Sequence, residues 1–207
     1  MKTLVVLSSI LGDASRSTEL ARYAMQRIGE ADPQGEIVVR NLASDPVPYF
    51  DGAMAAAVFT PAQARTPEQQ RLAAASDALI AELQEADRIV ITAPVYNFGI
   101  PAQLKSYFDH LARAGVTFRY TEQGPEGLVK GKQAVVLVAR GSKALGTSVD
   151  SMTPYIKTFL GFLGITDLAV VAAEGVKLSE ESAAASLGQA RGQIDAWLAR
   201  EPAALPA

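Results

Sequence analysis

A doubly wound α/β domain, with a parallel sheet between two layers of helices, is what this chain of 207 residues predicts. Three observations carry the expectation: five short, nearly continuous apolar runs, helical periodicity between them, and no internal repeat or low-complexity linker dividing the chain. Strands buried on both faces read as unbroken apolar runs, and parallel strands need crossover connections that lay helices over each face. With 49% hydrophobic and 20% charged residues, and a length that lets one core bury on the order of 70% of the unfolded surface, one domain over 1–207 is expected.

The elements follow in order. Lys2 to Leu7 is the first apolar run, and from Ser17 onward Leu20, Ala21, Ala24, Met25 and Ile28 recur at helical spacing. Ile37 to Val39 supplies a second strand. Ala53 to Phe59 reads as a small helix covering the core or meeting another subunit. Thr66-Pro67-Glu68-Gln69 is a capping box with proline at the first helical position, opening a helix to about Ala86 that carries Leu72, Leu79, Ile80 and Leu83 inward. Arg88 to Ala93 is the third strand. Pro101 then starts a helix whose Leu104, Tyr107, Phe108 and Leu111 share one face, with Gly115 as its stop. Ala134 to Ala139, a helix around Tyr155 to Leu163, Leu168 to Ala172 and a closing helix from Glu180 to Arg200 complete the pattern, leaving Pro202 to Ala207 as a loose end.

Composition removes whole classes of function. Nineteen basic against 22 acidic side chains give a charge of −3, which offers no broad field for nucleic acid or an anionic membrane. Without cysteine there is no disulfide, thiolate nucleophile or zinc ribbon, and a cytoplasmic setting is expected. The first residues are too short an apolar stretch for a signal peptide, and no run approaches the ~18 residues of a membrane span. His110 is the only histidine, which excludes a paired-imidazole metal site. It falls about 110° off the apolar face of its helix at the usual 100° step, a flank position and not that of a catalytic base.

Open parallel sheets bind ligands beyond the carboxyl ends of their strands, so the loops after strands one, three and four should carry function. The first, Ser8 to Ser17, sets four serines before a helix amino end, where free N–H groups and the dipole favour an anion. It reads as a phosphate cradle or as plain capping by Ser15 or Ser17. Arg16 adds charge or points to solvent. The second, Pro94-Val95-Tyr96-Asn97-Phe98-Gly99-Ile100-Pro101, is stiff and apolar, suited to a wall on which a flat ring stacks, unless its aromatics fold back onto the core. In the third, Arg140-Gly141-Ser142 permits close backbone approach. Cradle, wall and glycine-lined edge together describe a pocket for flavin mononucleotide. The segment Gly127-Leu128-Val129-Lys130-Gly131-Lys132 is one residue short of a P-loop and precedes a strand, and no GxGxxG follows the first strand.

Longer motifs add a family likeness. Pro94 to Phe98, Gln103-Leu104-Lys105-x-Tyr107-Phe108-Asp109, Ala112 to Tyr120, Gly124-Pro125-Glu126-Gly127-Leu128 and Arg140-Gly141, with Ser9 and Ser15-x-Ser17 in front, resemble the FMN-dependent NADH azoreductases, which are also quinone reductases. The resemblance implies a flavodoxin-like homodimer, five strands in the order 2-1-3-4-5, and one FMN per subunit near the subunit boundary. By that likeness Ser9, Ser15 and Ser17 hold the phosphate with Arg16 beside them. Pro94, Val95, Tyr96, Asn97 and Phe98 line the isoalloxazine, with Val95 where relatives commonly carry methionine. Arg140, Gly141 and Ser142 face the pyrimidine edge, and Tyr120 and Phe162 cover the substrate side. Residues 45–65 match little.

The activity so implied is transfer of two electrons from NADH or NADPH, in ping-pong order, to quinones or aromatic azo compounds, with the flavin and no side chain doing the chemistry. Two rivals remain at this point. One is an FMN electron carrier with protein partners, although such carriers tend to be smaller and far more acidic. The other is a non-flavin domain for some other phosphorylated ligand.

Overall fold

Valine and isoleucine fill the five apolar runs, and each run forms a strand of one parallel sheet. The structure, a computed structural model, describes residues 1–200; the expected loose tail at Pro202–Ala207 lies outside the described residues. In chain order the elements are β1 (Lys2–Leu7), α1 (Arg16–Ala31), β2 (Glu36–Asn41), α2 (Gly52–Phe59), α3 (Pro67–Glu85), β3 (Arg88–Pro94) and α4 (Ala102–Leu111). They continue with β4 (Phe118–Thr121), β5 (Gly124–Gly127), β6 (Gln133–Ala139), α5 (Met152–Leu163), β7 (Asp167–Ala173) and α6 (Glu180–Leu198).

The sheet runs β2-β1-β3-β6-β7, the doubly wound order that the family likeness implies. Alternation along each strand divides the core in two. Val5, Val90, Val135 and Leu137 meet Leu20, Ala24 and Ile28 of α1 and Leu187, Ile194 and Trp197 of α6 on one face. Val6, Ile91 and Val136 meet Ile80 and Leu83 of α3, Leu104 and Phe108 of α4, and Ile156 and Leu160 of α5 on the other. Helix α3 begins as its sequence demands: Gln69 N–H donates to Thr66 Oγ1 at 3.2 Å and Thr66 N–H to Gln69 Oε1 at 3.0 Å. Leu72 stays half-buried there while Leu79, Ile80 and Leu83 are buried.

Three expectations change. Helix α4 ends at Leu111, before Gly115, because the Thr117 hydroxyl donates to Leu111 O at 2.6 Å and accepts from Arg113 N–H at 2.9 Å, closing the turn earlier. His110 is fully buried, not a flank residue, since the segment 45–51 folds over it: its Nε2 lies 3.0 Å from Pro48 O, and Phe50 meets the ring edge-on. Strands β4 and β5 were not anticipated; they pair antiparallel as a separate hairpin against the end of α5.

Register positions the functional edge. Pro94 pairs with Ala139 and Ala139 with Ala173, so β3, β6 and β7 end level and deliver their loops to one place. Among the described residues no helix is long and apolar enough to cross a membrane.

Candidate functional site

The first loop is tied down before it reaches α1. Ser8 N–H donates to Thr92 Oγ1 at 2.7 Å, and Ser9, almost fully buried, shares a hydrogen bond with Tyr96 OH at 3.0 Å while accepting from Leu11 N–H at 3.3 Å. Ser15 is the N-cap of α1, its Oγ 3.5 Å from Thr18 N and 3.0 Å from Ser17 Oγ. Ser15 thus caps α1 through a long bond, at a helix start that retains free N–H groups. Ser17 is wholly buried behind it. Arg16 is half-exposed and pairs with Glu19 at 2.9 Å.

In the second loop Tyr96 and Gly99 exchange two backbone hydrogen bonds, each 3.0 Å, around Asn97 at φ 49° and Phe98 at φ 68°. That is the two-residue hairpin geometry with both central residues left-handed. Asparagine tolerates it; phenylalanine does so rarely. Phe98 nevertheless stands 71% exposed, held by Ser151 Oγ donating to its carbonyl at 2.6 Å. Val95 rests on the core and its N–H donates to Ala139 O at 3.0 Å. The wall thus has a packed base and an open tip; its aromatics do not all fold inward.

The third loop supplies charge. Arg140 and Asp150 form a buried ion pair at 3.0 Å. The Asp150 carboxyl lies below the ordinary carboxylate range: burial alone raises it, and hydrogen bonds from the Gly146 and Thr153 N–H groups with the Arg140 charge outweigh that effect. Gly141 leaves room for the Lys177 stem, which lies across it: a Cβ there would stand a tight 3.1–3.3 Å from three of its carbons.

These loops enclose a cavity of about 500 Å³, within the range of small-molecule sites. Ser15 and Arg16 line one end, Pro94, Val95, Tyr96, Asn97 and Phe98 the wall, and Arg140, Gly141 and Ser142 the facing edge. Ser9 and Ser17 are not at its surface; they stand behind it, bonded to Tyr96 and Ser15. Tyr120 and Phe162 lie elsewhere, gathered around Phe118 at ring-centroid distances of 5.5 and 4.4 Å.

The loop after β7, which sequence reasoning passed over, contributes Val176 and Lys177. Backbone bonds from Gly175, Val176 and Lys177 to Ser142, Arg140 and Gly141 hold it there. A signal existed: β7 is the sheet neighbour of β6, so its loop must leave the same edge. Residues 45–49 and Asp51 line a separate cavity of about 480 Å³ with His110. A more polar groove of about 630 Å³ beside α6 contains no aromatic side chain on which a ring could stack.

Comparison with known proteins agrees with this geometry. A family described as having a flavodoxin-like fold matches residues 1–198. The FMN-dependent NADH:quinone oxidoreductase of Bordetella parapertussis is 60% identical over 197 residues, covering 95% of this chain and 94% of that protein. Its counterpart from Paraburkholderia phymatum is 52% identical over 193 residues, covering 93% and 98%. Among solved structures, an FMN-dependent NADH-azoreductase from Bacillus anthracis, in complex with FMN, superposes with a TM-score of 0.86 at 27% identity, covering 96% of this chain and 99% of that one. A second azoreductase from Bacillus anthracis gives 0.85 at 29% identity, over 95% and 99%. With the family matched along nearly the whole length and close relatives spanning it, the chain belongs to the flavodoxin-like family that includes the FMN-dependent NADH:quinone oxidoreductases.

Proposed function

We propose that the chain is an FMN-dependent oxidoreductase that passes electron pairs from NADH or NADPH to quinones and to aromatic azo compounds. The observation that carries this reading is a single cavity joining an anion-competent helix start, a stiff apolar wall and an edge of hydrogen-bond donors. FMN fits each part. The Ser15 hydroxyl and the first N–H groups of α1 suit a phosphomonoester, the Val95 to Phe98 turn suits a flat ring, and two buried nitrogens of Arg140, Nε and Nη1, have no partner among the described residues.

When bound, FMN supplies the two-electron hydride chemistry at its N5 position. The chain's residues bind and orient. Ser15 holds the phosphate, backed by Ser17 through their shared hydrogen bond and with Arg16 adding charge; Ser9 braces the wall through Tyr96, and Pro94 to Phe98 fix the ring plane. Arg140, Gly141 and Ser142 present donors where negative charge gathers on reduction. Dinucleotide and acceptor take turns over the open tip of the wall, a ping-pong order. One NAD(P)H and one proton are consumed per quinol, and two of each per azo bond cleaved to two amines.

Tyr120 and Phe162 lie outside the cavity of their own chain, so in this reading they cover substrate only across the boundary of a homodimer. The Tyr120 side chain, 77% exposed, supports that role. A cytoplasmic setting belongs to the same reading, supported by the absence of cysteine.

The test is direct. Purified protein given FMN and desalted should retain flavin absorbance and should oxidise NADH with a benzoquinone. Loss of the absorbance removes every flavin reading; retained flavin with no NADH turnover favours the electron carrier. Ser17→Ala should weaken FMN retention by about 0.5–2 kcal/mol, and an unchanged dissociation constant counts against the phosphate cradle.

A further inference from the structure

At the cavity edge that faces the wall lies a charged pair of which one member is hydrogen-bonded at both oxygens and the other keeps two donors unpaired among the described residues. Arg140, the first residue after β6, and Asp150, two residues ahead of α5, meet through Nη2 and Oδ1 at 3.0 Å with side chains 5% and 3% exposed. Asp150 is bonded at both oxygens: Oδ1 also accepts from Thr153 N–H at 3.3 Å, and Oδ2 accepts from Gly146 N–H at 3.2 Å. Arg140 keeps Nε and Nη1 buried and unpartnered among the described residues, while the residue lines the cavity. Buried donors without acceptors are costly and rare in folded proteins. A tether whose only task was to hold α5 to β6 would have no use for two spare N–H groups on a full positive charge.

We propose that Asp150 is a positioning residue that meters the charge of Arg140 and so sets the reduction potential of the flavin. This rests on the FMN reading above. Arg140 lies at the cavity edge meant for the electron-rich carbonyl side of the ring, its full positive charge buried there with only one acceptor among the described residues, and that charge favours the reduced, more negative form. Asp150 fixes the plane of the guanidinium and offsets part of that charge. The two residues therefore act on the potential with opposite signs, which a purely structural pair does not do.

The experiment measures the two-electron midpoint potential of the FMN-loaded protein by spectroelectrochemistry, with the dissociation constant of oxidised FMN determined in parallel. Arg140→Gln leaves Asp150 alone and should weaken reduced FMN about tenfold more than oxidised FMN, lowering the potential by about 30 mV. Asp150→Asn leaves Arg140 alone and should raise it by about as much. Shifts of the same sign in both variants, or none in either, overturn the proposal. If those variants do not fold by circular dichroism, Arg140→Lys decides. It retains the charge, so the ratio of the two affinities should change less than threefold, and a larger change overturns the proposal. A wild-type protein that takes up no FMN overturns the functional reading itself, an outcome seen before any variant is made.

Discussion

Phe98 occupies a backbone region that aromatic residues rarely visit, with φ 68°, although its side chain gains little packing at 71% exposure. Such a conformation costs on the order of 1–3 kcal/mol in a non-glycine residue. On the proposed function, a strained, exposed aromatic at the tip of the cavity wall is explained by what it does for a ligand, not by what it does for the fold. Phe98→Gly removes the strain but gives the unfolded chain more freedom, a loss of about 0.4–1 kcal/mol. The net expectation is a gain of about 1 kcal/mol, or roughly 2–4 °C in Tm for a domain of this size. At the same time KM for an aromatic quinone should rise. Calorimetry and steady-state kinetics on the same preparation check both halves, and a lowered Tm contradicts the strain account. The neighbouring Asn97, at φ 49°, is the control: Asn97→Gly should change stability less, because asparagine already tolerates this geometry.

Among elements, the hairpin β4–β5 meets α5 at one very close approach. A Cβ on Gly127 would lie 2.1 Å from Gly164 N, at the left-handed C-cap of α5 where Gly164 has φ 101°. No flexible side chain stands there to yield, so Gly127→Ala must push the hairpin off the helix. The expected loss is about 1–3 kcal/mol in urea unfolding, with the Phe118–Phe162 contact disturbed first; a variant as stable as the parent would show that the hairpin does not need this seat. The hairpin is also the part of the fold that the sequence hides. β5 is Gly-Pro-Glu-Gly, with no apolar pattern, and β4, although Phe118-Arg119-Tyr120-Thr121 alternates, is only four residues long and buries only its first residue. The five sheet strands and the α3 cap were legible because their signals are local. The early end of α4 was not, because it depends on Thr117, six residues beyond Leu111. In the site, the loops after β1, β3 and β6 were legible from strand order, and the β7 loop follows from that same order; the placement of Lys177 over Gly141 was not legible, since it depends on the β6–β7 register.

Across the whole molecule, the segment 45–51 closes over α4 and converts the one histidine into a buried group. His110 has no exposed surface; Nε2 meets Pro48 O at 3.0 Å, Nδ1 has no partner among the described residues, and Ser106 Oγ donates to the same Pro48 carbonyl at 2.6 Å. Burial holds the imidazole below its ordinary value of 6.5, an effect that the Pro48 contact and the charges of Asp109 and Asp51 oppose and that of Arg113 reinforces. The sign follows from proton counting. The unfolded chain binds a proton near pH 6.5 that the folded chain refuses until a lower pH, so the stability that neutral His110 contributes is complete above 6.5 and is lost as pH falls toward the folded value. Within that window the slope is bounded by the one-proton limit of about 1.4 kcal/mol per pH unit, and it flattens once the folded group also titrates. Urea midpoints measured at pH 7.5, 6.5 and 5.5 should therefore fall over the lower step more than over the upper one. His110→Gln retains a side-chain donor for the Pro48 carbonyl without a group that titrates there, so its midpoints should change much less. Equal slopes in the two proteins would mean that carboxylates, and not this imidazole, govern the acid limb of stability.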